Sequence, residues 1–164
     1  MRFKIIILLL ISNLGFSQLS NKHWIPPLHA NEDQTPTLIL DHYLYLSTPE
    51  LVAFQVTVTD GSGNPITGSP FTISQGNPIR ITIGAEQPSV MFLDREDVGT
   101  VQSNKGLIIE GQYDFYASFR VRSENHAEFL SSKGITGAGT VFRLGSLPQG
   151  DTGDIRNFVS SFMA

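Results

Sequence analysis

An unbroken alternation of apolar and polar residues from Tyr113 to Arg122 limits the possible folds of this chain more than any other feature. The apolar set consists of Tyr113, Phe115, Ala117, Phe119 and Val121, and the polar set of Asp114, Tyr116, Ser118, Arg120 and Arg122. Successive side chains of a strand point to opposite faces, so this pattern predicts a strand with one buried and one solvated face. The apolar run 107–109 precedes it, and Gly111-Gln112 separates the two. We therefore expect two strands, joined by a tight turn, at the centre of a β core.

Shorter stretches with the same two-residue period recur along the chain, separated by glycine, proline and asparagine. The candidate strands are 41–48, 52–59, 71–74, 78–84, 89–93, 127–132 and 140–145. Clean alternation is typical of antiparallel sheets, and many short strands with turn residues between them are typical of sandwiches. The sequence therefore predicts an all-β fold, an antiparallel β-sandwich of immunoglobulin-like or jelly-roll-like type.

The same alternation predicts which side chains face the core. In 52–59 the inward positions are expected to be Val52, Phe54, Val56 and Val58. The following residues 60–65 combine Asp, Gly and Asn and predict a turn, with 71–74 as the hairpin partner. We expect one core that contains Phe115, Phe119, Val121, Val56, Ile81 and Ile108.

Both ends of the chain differ from its middle. Residues 1–17 begin with two basic residues, continue with a short apolar run and end in small residues, which is typical of a cleaved signal peptide. Residues 18–40 include Pro26-Pro27 and predict an extended, unpaired arm anchored by Trp24 and Ile25. The sandwich domain is expected to occupy 41–164. Its last ten residues are apolar with no closing strand after them, so we expect an incomplete C-terminal edge that promotes aggregation.

Charge and cysteine content restrict the partners. The formal net charge is −4, and loss of Arg2 and Lys4 with the signal peptide would make it −6 (−4 minus 2). An acidic chain without a cluster of lysine or arginine is not expected to bind nucleic acid or an anionic membrane. No cysteine is present, so disulfides are excluded. The sequence has no second long apolar stretch, so we expect no membrane insertion after signal cleavage. With the predicted signal peptide, this leads us to expect an extracellular or cell-surface protein.

Two acidic stretches are candidate metal sites. Asp60, Ser62 and Asn64 match the first ligand positions of a calcium loop, but Pro65 and Phe71 stand where such a loop needs glycine and a bidentate acid. This stretch therefore favours an ordinary turn. Asp94, Glu96 and Asp97 leave two alternatives open, a solvated loop or a weak calcium site. The four histidines lack zinc-ligand spacing, so no metal site is predicted.

No catalytic or cofactor-binding residue is predicted. The chain has no G-x-S-x-G motif, and the glycines at 134, 137 and 139 lack the Lys-Ser/Thr pair of a phosphate-binding loop. The remaining candidates are outward-facing residues of types that are enriched at binding hot spots, namely Tyr43, Tyr45, Tyr116, Arg120 and Arg122. These residues are predicted either to bind a ligand or to form ordinary surface.

Several phrases occur together and in order: KHWIPPL, YLYLSTP, NKGLIIEG, YASFRVRS, SSKGITGAGTVFRLG and NFVSSFMA. Together they resemble the N-terminal region of large secreted surface proteins of Bacteroidota, which carry an IgGFc-binding-protein-like β region. Those proteins often end in a gliding-motility-associated sorting domain for type IX secretion. The resemblance covers most of the chain beyond residue 17 and implies that the chain is an incomplete N-terminal part. It supplies no catalytic residues.

These observations lead to two functional expectations. The first is a non-enzymatic extracellular β domain, the N-terminal module of a cell-surface or secreted adhesion protein that binds a protein or glycan ligand. The alternative is an accessory glycan-binding module of a secreted carbohydrate-degrading enzyme. Aromatic residues aligned on one sheet face would favour the alternative, and a smooth charged face would count against it.

Overall fold

The computed structural model describes residues 18–29, 39–84, 89–97, 99–123 and 127–137, and within these ranges it contains nine strands and no α-helix. The strands are β1 (Ser20–Ile25), β2 (Leu28–His29), β3 (Ile39–Ser47), β4 (Phe54–Asp60), β5 (Phe71–Ile73), β6 (Ile79–Gly84), β7 (Phe92–Leu93), β8 (Leu107–Ser123) and β9 (Ala127–Ser132). Two 3-10 helices span Arg95–Asp97 and Gly134–Gly137. The predicted signal peptide 1–17, strand 140–145 and apolar end 155–164 lie outside the described residues.

The central stretch forms one strand of 17 residues, so the prediction of two strands joined by a turn was wrong. Gly111 lies inside β8 and pairs with Val56 of β4, which carries the ladder through the expected break. Its lack of a side chain serves packing, because a Cβ at Gly111 would lie 3.0 Å from ring atoms of both Phe54 and Phe115. The glycine makes room for two phenyl rings on the inner face of a continuous strand.

β8 is long enough to take part in two half-sheets. Along its first half it pairs with β4 and β1, and β5 extends β4 outward. Along its second half it pairs with β3 and β9, and β6 extends β3 outward. All these pairings are antiparallel. We call the group β5-β4-β8-β1 the first half-sheet and the group β6-β3-β8-β9 the second half-sheet.

The two half-sheets curve toward each other around one core. β9 and β1 follow the same edge of β8 and are joined where the Ser132 hydroxyl donates to the Trp24 carbonyl at 3.3 Å. The Ile135 amide also donates to the Ser20 hydroxyl at 3.2 Å. The result is an antiparallel sandwich that is nearly closed like a barrel, which confirms the predicted all-β class. One short pair, β2 with β7, is parallel.

The core lies between the inner faces of these strands and confirms most of the predicted set. Its buried apolar residues are Ile25, Leu44, Leu46, Phe54, Val56, Val58, Ile73, Ile81, Met91, Phe92, Leu107, Ile109, Phe115, Ala117 and Phe119. Val121 is half-buried against this cluster. The inclusion of Ile108 was wrong: β8 is continuous, so its odd-numbered residues face inward throughout. Ile108 therefore lies outward, opposite Trp24, whereas Leu107 and Ile109 are buried.

Two other predicted inward positions are exposed. Val52 is 69% exposed because β4 begins only at Phe54, and the residues before it form a bend. Tyr113 is on the inner side of β8 but is 41% exposed. It lies where β8 passes from one half-sheet to the other, and its ring meets Phe54 edge-on at 5.3 Å. Alternation correctly predicts the side of the strand, but burial also needs a facing partner.

The N-terminal segment is extended, as predicted, but it is not unpaired. Residues of β1 pair with β8 from Ile25↔Leu107 to Ser20↔Phe115, with one irregularity in register. Ile25 is buried and does anchor the segment, whereas Trp24 is 45% exposed because its register places it outward. The Lys22 ammonium lies 5.2 Å from the Trp24 ring centre and 2.6 Å from a carboxylate oxygen of Glu110. β1 is therefore a strand of the first half-sheet.

Two glycines share an unusual backbone angle but differ in their surroundings, which provides a matched test of the fold. Gly106 has φ +85°, and a Cβ there would lie 2.8 Å from the Ile25 carbonyl oxygen. Gly63 has φ +86° and open space around it. We expect Gly63→Ala to lower the free energy of unfolding by about 1–2 kcal/mol, from backbone strain alone. Gly106→Ala should lower it more, because β1 must also move. Urea unfolding of both variants measures the difference, and equal losses would contradict the close approach of β1.

Candidate ligand-binding face

The outer face of the second half-sheet gathers aromatic and arginine side chains from four neighbouring strands. Cross-strand pairing places them on one side of the sheet, since residues directly opposite each other point to the same face. We call this surface the tyrosine–arginine face, and define it by Tyr43, Tyr45, Arg80, Tyr116, Arg120, Arg122 and Phe129. Tyr116, Arg120, Arg122 and Phe129 are exposed, and the two β3 tyrosines are half-buried.

Register defines the layout of this face. Tyr43 lies between Thr82 of β6 and Arg120 of β8, and Arg120 in turn is opposite Phe129 of β9. Tyr45 lies between Arg80 and Ser118 in the next row. Aromatic rings, arginines and hydroxyl groups therefore alternate across a surface that is four strands wide.

The two β3 tyrosines are held by their neighbours. The Arg80 guanidinium lies 4.8 Å from the Tyr43 ring centre, within the range of a cation–π contact. The rings of Tyr43 and Tyr45 are 6.4 Å apart and meet edge to face. Because these contacts and partial burial restrict both rings, little conformational entropy remains to be lost when a ligand packs on them.

The arginines of the face are not all neutralised. Arg122 forms an ion pair with Asp41 across β3 and β8. Among the described residues, neither Arg80 nor Arg120 has a carboxylate partner. Three arginines and one aspartate leave the face with a formal charge of +2 (3 minus 1), in a chain whose formal net charge is −4. The face is therefore positively charged in a chain that is negatively charged overall.

The structure brings together all five candidate residues from the sequence analysis, since Tyr43, Tyr45, Tyr116, Arg120 and Arg122 share this face. It adds Arg80 and Phe129. Arg80 alternates with isoleucines in the sequence, but only strand order reveals that β6 lies next to β3. Phe129 could not be found by alternation, because β9 has no clean two-residue period and most of its side chains are exposed.

The turn at Asp60 is stabilised by its own carboxylate, in agreement with the predicted turn. One carboxylate oxygen accepts hydrogen bonds from the Ser62 and Asn64 amides, both at 2.9 Å, and the other accepts from the Asn64 side chain at 3.1 Å. The Asn64 side-chain hydrogen bond, with help from these backbone amides, holds the pKa of Asp60 below its usual value. This carboxylate serves as a turn cap.

For the acidic residues at 94–97 the sequence predicts one of two alternatives, a solvated loop or a weak calcium site. They form a 3-10 turn in which the Asp97 amide donates to the Asp94 carbonyl at 3.0 Å, and both Asp94 and Glu96 are exposed. Within the described part of the chain, no group of three or more acidic or histidine side chains is placed to hold a metal ion. The arrangement favours the solvated loop.

A serine and a histidine that are 47 positions apart meet beside the core, and sequence analysis did not find this pair. His42 Nε2 lies 2.8 Å from Ser89 Oγ, which also accepts a hydrogen bond from the Met91 amide at 3.1 Å. The imidazole is fully buried between the rings of Phe92 and Phe119. Its Nδ1 contacts no hydrogen-bonding partner in the described residues. A general base must reach a substrate proton, and this imidazole is enclosed by the core. We therefore interpret the contact between His42 and Ser89 as a structural hydrogen bond.

An open cleft of about 490 Å³ lies beside this pair. Its lining residues are Asp60, Ser62, Asn64, Ser89, Val90, Asn104 and Lys105. The two charged groups in it are already engaged: Asp60 caps its turn, and the Lys105 ammonium donates to the Ser89 carbonyl at 2.9 Å. The cleft therefore offers fewer free polar groups than the tyrosine–arginine face.

His23 is the second fully buried histidine. Its Nε2 lies 3.0 Å from the Ser20 carbonyl and 2.9 Å from the Phe115 carbonyl, so this nitrogen carries the proton and donates. Burial lowers the pKa of His23, and these carbonyls only partly offset the effect. Burial likewise lowers the pKa of His42. Both imidazoles belong to the core, and burial favours their neutral forms.

The glycine-rich segment after β9 packs on β1. Gly134 has φ +58°, and a Cβ there would lie 2.5 Å from the Lys22 carbonyl oxygen and closer still to the side chain of Ser20. The 3-10 helix that follows, Gly134–Gly137, is too short to offer the aligned amides of a phosphate site. Its glycine allows close packing between two segments.

Comparison of the chain with protein-family models, curated proteins and solved structures found no match. None of the helices in the described ranges is long and apolar enough to span a membrane.

Proposed function

We propose that this chain is a non-enzymatic extracellular binding domain, the N-terminal module of a cell-surface or secreted adhesion protein. Its ligand contacts the tyrosine–arginine face. The observation that carries the proposal is the exposure of that face. Arg120 lies beside Tyr43 and Phe129 with no carboxylate partner among the described residues, and no described element packs over them. Arginine and tyrosine are enriched among the residues that dominate binding energy.

The burial of the described histidines supports a binding role over a catalytic one. His23 and His42 are the histidines whose side chains the structure describes, and both are fully buried with Nε2 used in hydrogen bonds. Among the described residues, both rings are enclosed, and His42 meets the neighbouring cleft only through the Ser89 hydroxyl. The burial of both histidines therefore agrees with a domain that binds a ligand without catalysing a reaction.

The resemblance of the sequence to large Bacteroidota surface proteins supports placement outside the cell. An exported module of that kind would begin with a signal peptide at 1–17, be secreted by the type IX route and be followed by further domains. Sequencing the reading frame beyond Ala164 tests this part. Downstream adhesion repeats or a sorting domain would support it, and a catalytic glycosidase domain would favour the alternative below.

The alternative is an accessory glycan-binding module of a secreted carbohydrate-degrading enzyme. A specific observation favours it: four aromatic side chains, those of Tyr43, Tyr45, Tyr116 and Phe129, lie on one sheet face. Aromatic rings stack on the C–H faces of sugars. In both alternatives the same face makes the contact.

The experiment compares face variants with a control on the opposite half of the sheet. The whole chain would be immobilised and exposed to immunoglobulin G and to a panel of neutral and acidic polysaccharides. Arg120→Ser and Tyr45→Ala should weaken binding of whichever probe is retained, by about tenfold each. The control Thr57→Ala alters an exposed residue of β4 and should leave binding unchanged. Retained binding that responds to Thr57→Ala but to neither face variant would overturn the proposal.

A further inference from the structure

We infer that the tyrosine–arginine face binds an acidic polysaccharide, a sugar polymer that carries carboxylates such as uronic acids. This inference rests on the proposed function and specifies the ligand class for that site. Its basis is the juxtaposition of Arg80 and Arg120, which have no carboxylate partner within the described ranges, with the half-buried rings of Tyr43 and Tyr45.

Charge is the first argument. Outward residues of β8 change sign along the strand, from Glu110 and Asp114 at the start to Arg120 and Arg122 at the end. The basic end coincides with the second half-sheet, where Arg80 on β6 adds a further cation. Arginine binds carboxylates in a bidentate manner that lysine cannot reproduce, and the charged residues on this face are mainly arginines. A ligand with regularly placed carboxylates complements this end of the sheet and is repelled by the other.

The aromatic rings are the second argument. A small anion would need only the arginines, whereas Tyr43 and Tyr45 present restrained rings between them. Rings in this position can stack on sugars whose carboxylates reach the neighbouring guanidinium groups. The hydroxyls of Thr82 and Ser118 flank the rings in register and provide hydrogen-bond partners for sugar hydroxyls.

Size distinguishes a polymer from a folded protein partner. With strands about 4.8 Å apart and about 3.4 Å per residue, the outward surface of four strands from Asp41 to Ser47 covers roughly 300–400 Å². A stable protein–protein interface needs about 800 Å² from each partner, roughly twice this area. A chain of sugar units lying across the strands matches the available area better.

An acidic peptide shares the charge of such a polymer but lacks sugar rings. It would be attracted by Arg80 and Arg120, and would gain little from the flat faces of Tyr43 and Tyr45. Binding that depends on both kinds of residue therefore distinguishes the two ligands.

The test uses the whole chain with polygalacturonate, poly-glutamate of similar length and uncharged dextran as probes, measured by calorimetry at low salt. Polygalacturonate is expected to bind, and dextran is not. Arg120→Gln and Tyr45→Ala should each weaken polygalacturonate binding by about tenfold. Binding should also weaken as salt is raised, because exposed charges are screened. Thr57→Ala on β4 serves as the matched control and should not change it. Circular dichroism melting confirms that each variant is folded.

The other outcomes are equally decisive. If dextran binds as tightly as polygalacturonate, or if poly-glutamate binds and Tyr45→Ala has no effect, the acidic-polysaccharide inference is overturned while the binding face of the proposed function stands. If polygalacturonate binds but neither Arg120→Gln nor Tyr45→Ala weakens it, both the inference and the proposed face are overturned. Failure of polygalacturonate to bind overturns the inference. The proposed face stands if another probe responds to the face variants and is overturned if no probe does.

Discussion

Phe119→Ala is expected to lower the free energy of unfolding by about 3–5 kcal/mol, the cost of deleting a buried phenyl ring and leaving a cavity. Phe119 is fully buried, and on β8 it lies directly between Leu44 of β3 and Leu130 of β9. Its ring is also 6.0 Å from that of buried His42. The substitution therefore removes contacts that β8 makes with its neighbours β3 and β9 in the second half-sheet. Urea unfolding should show a lower midpoint with an unchanged slope.

The matched control is Phe129→Ala, the same chemical change one strand away. Phe129 lies on the outer face and is 61% exposed. Its cross-strand partner is Arg120, the residue that follows Phe119 in the sequence. Its loss should cost no more than about 0.5 kcal/mol, as is usual for exposed positions. If the two variants lose similar stability, the assignment of inner and outer faces to β8 is wrong. A large loss at Phe129 alone would have the same meaning.

Much of this fold could be predicted because a strand's period is local information. The inward positions Phe115 and Phe119 follow from alternation within ten residues, and the structure confirms them. The prediction for Ile108 was wrong because Gly111 was interpreted as a turn. A turn there would let even-numbered residues face the core before it and odd-numbered residues face the core after it. Glycine is ambiguous in sequence, since it permits a turn and also permits close packing.

Pairing between distant segments was not predictable in the same way. The addition of β1 to the sheet depends on register with β8, and nothing in residues 20–25 specifies that partner locally. The contact between His42 and Ser89 likewise exists only because the fold brings two segments together. The tyrosine–arginine face was only partly predictable: outward tyrosines and arginines could be assigned to faces, but Arg80 and Phe129 joined them only through strand order.

Acidification below pH about 6.5 is expected to destabilise the protein through its two buried histidines. Burial lowers the pKa of His23 and His42 in the folded state below the ordinary histidine value of 6.5. The unfolded chain therefore takes up protons at a higher pH than the folded chain does. The stabilisation is complete well above pH 6.5, decreases as pH falls through that value, and its loss is complete only below the lowered folded-state values.

The groups around each ring moderate this effect without reversing it. The carbonyls of Phe115, Ser20 and Ser132, and the charge of Asp114, favour a protonated His23, but burial has the larger influence. Asp41 similarly favours protonation of His42, again with less influence than burial. Both Nδ1 atoms are buried without a hydrogen-bond partner among the described residues. At His42, where no carbonyl favours protonation, a proton added to Nδ1 would create a buried, unpaired donor.

Urea unfolding between pH 5 and pH 8 measures the effect, and the slope with pH reports the difference in bound protons. Each histidine can contribute at most one proton, or about 1.4 kcal/mol per pH unit. His23→Gln is the informative variant, because its amide can still donate to the Ser20 and Phe115 carbonyls but does not titrate. It should reduce the slope between pH 5 and 6.5 relative to the parent chain, even if its stability at pH 8 is lower. Carboxylates titrate mainly below this window, so they do not mask the change. A free energy of unfolding that is constant from pH 8 to pH 5, or an unchanged slope in His23→Gln, would show that His23 is not held neutral by burial.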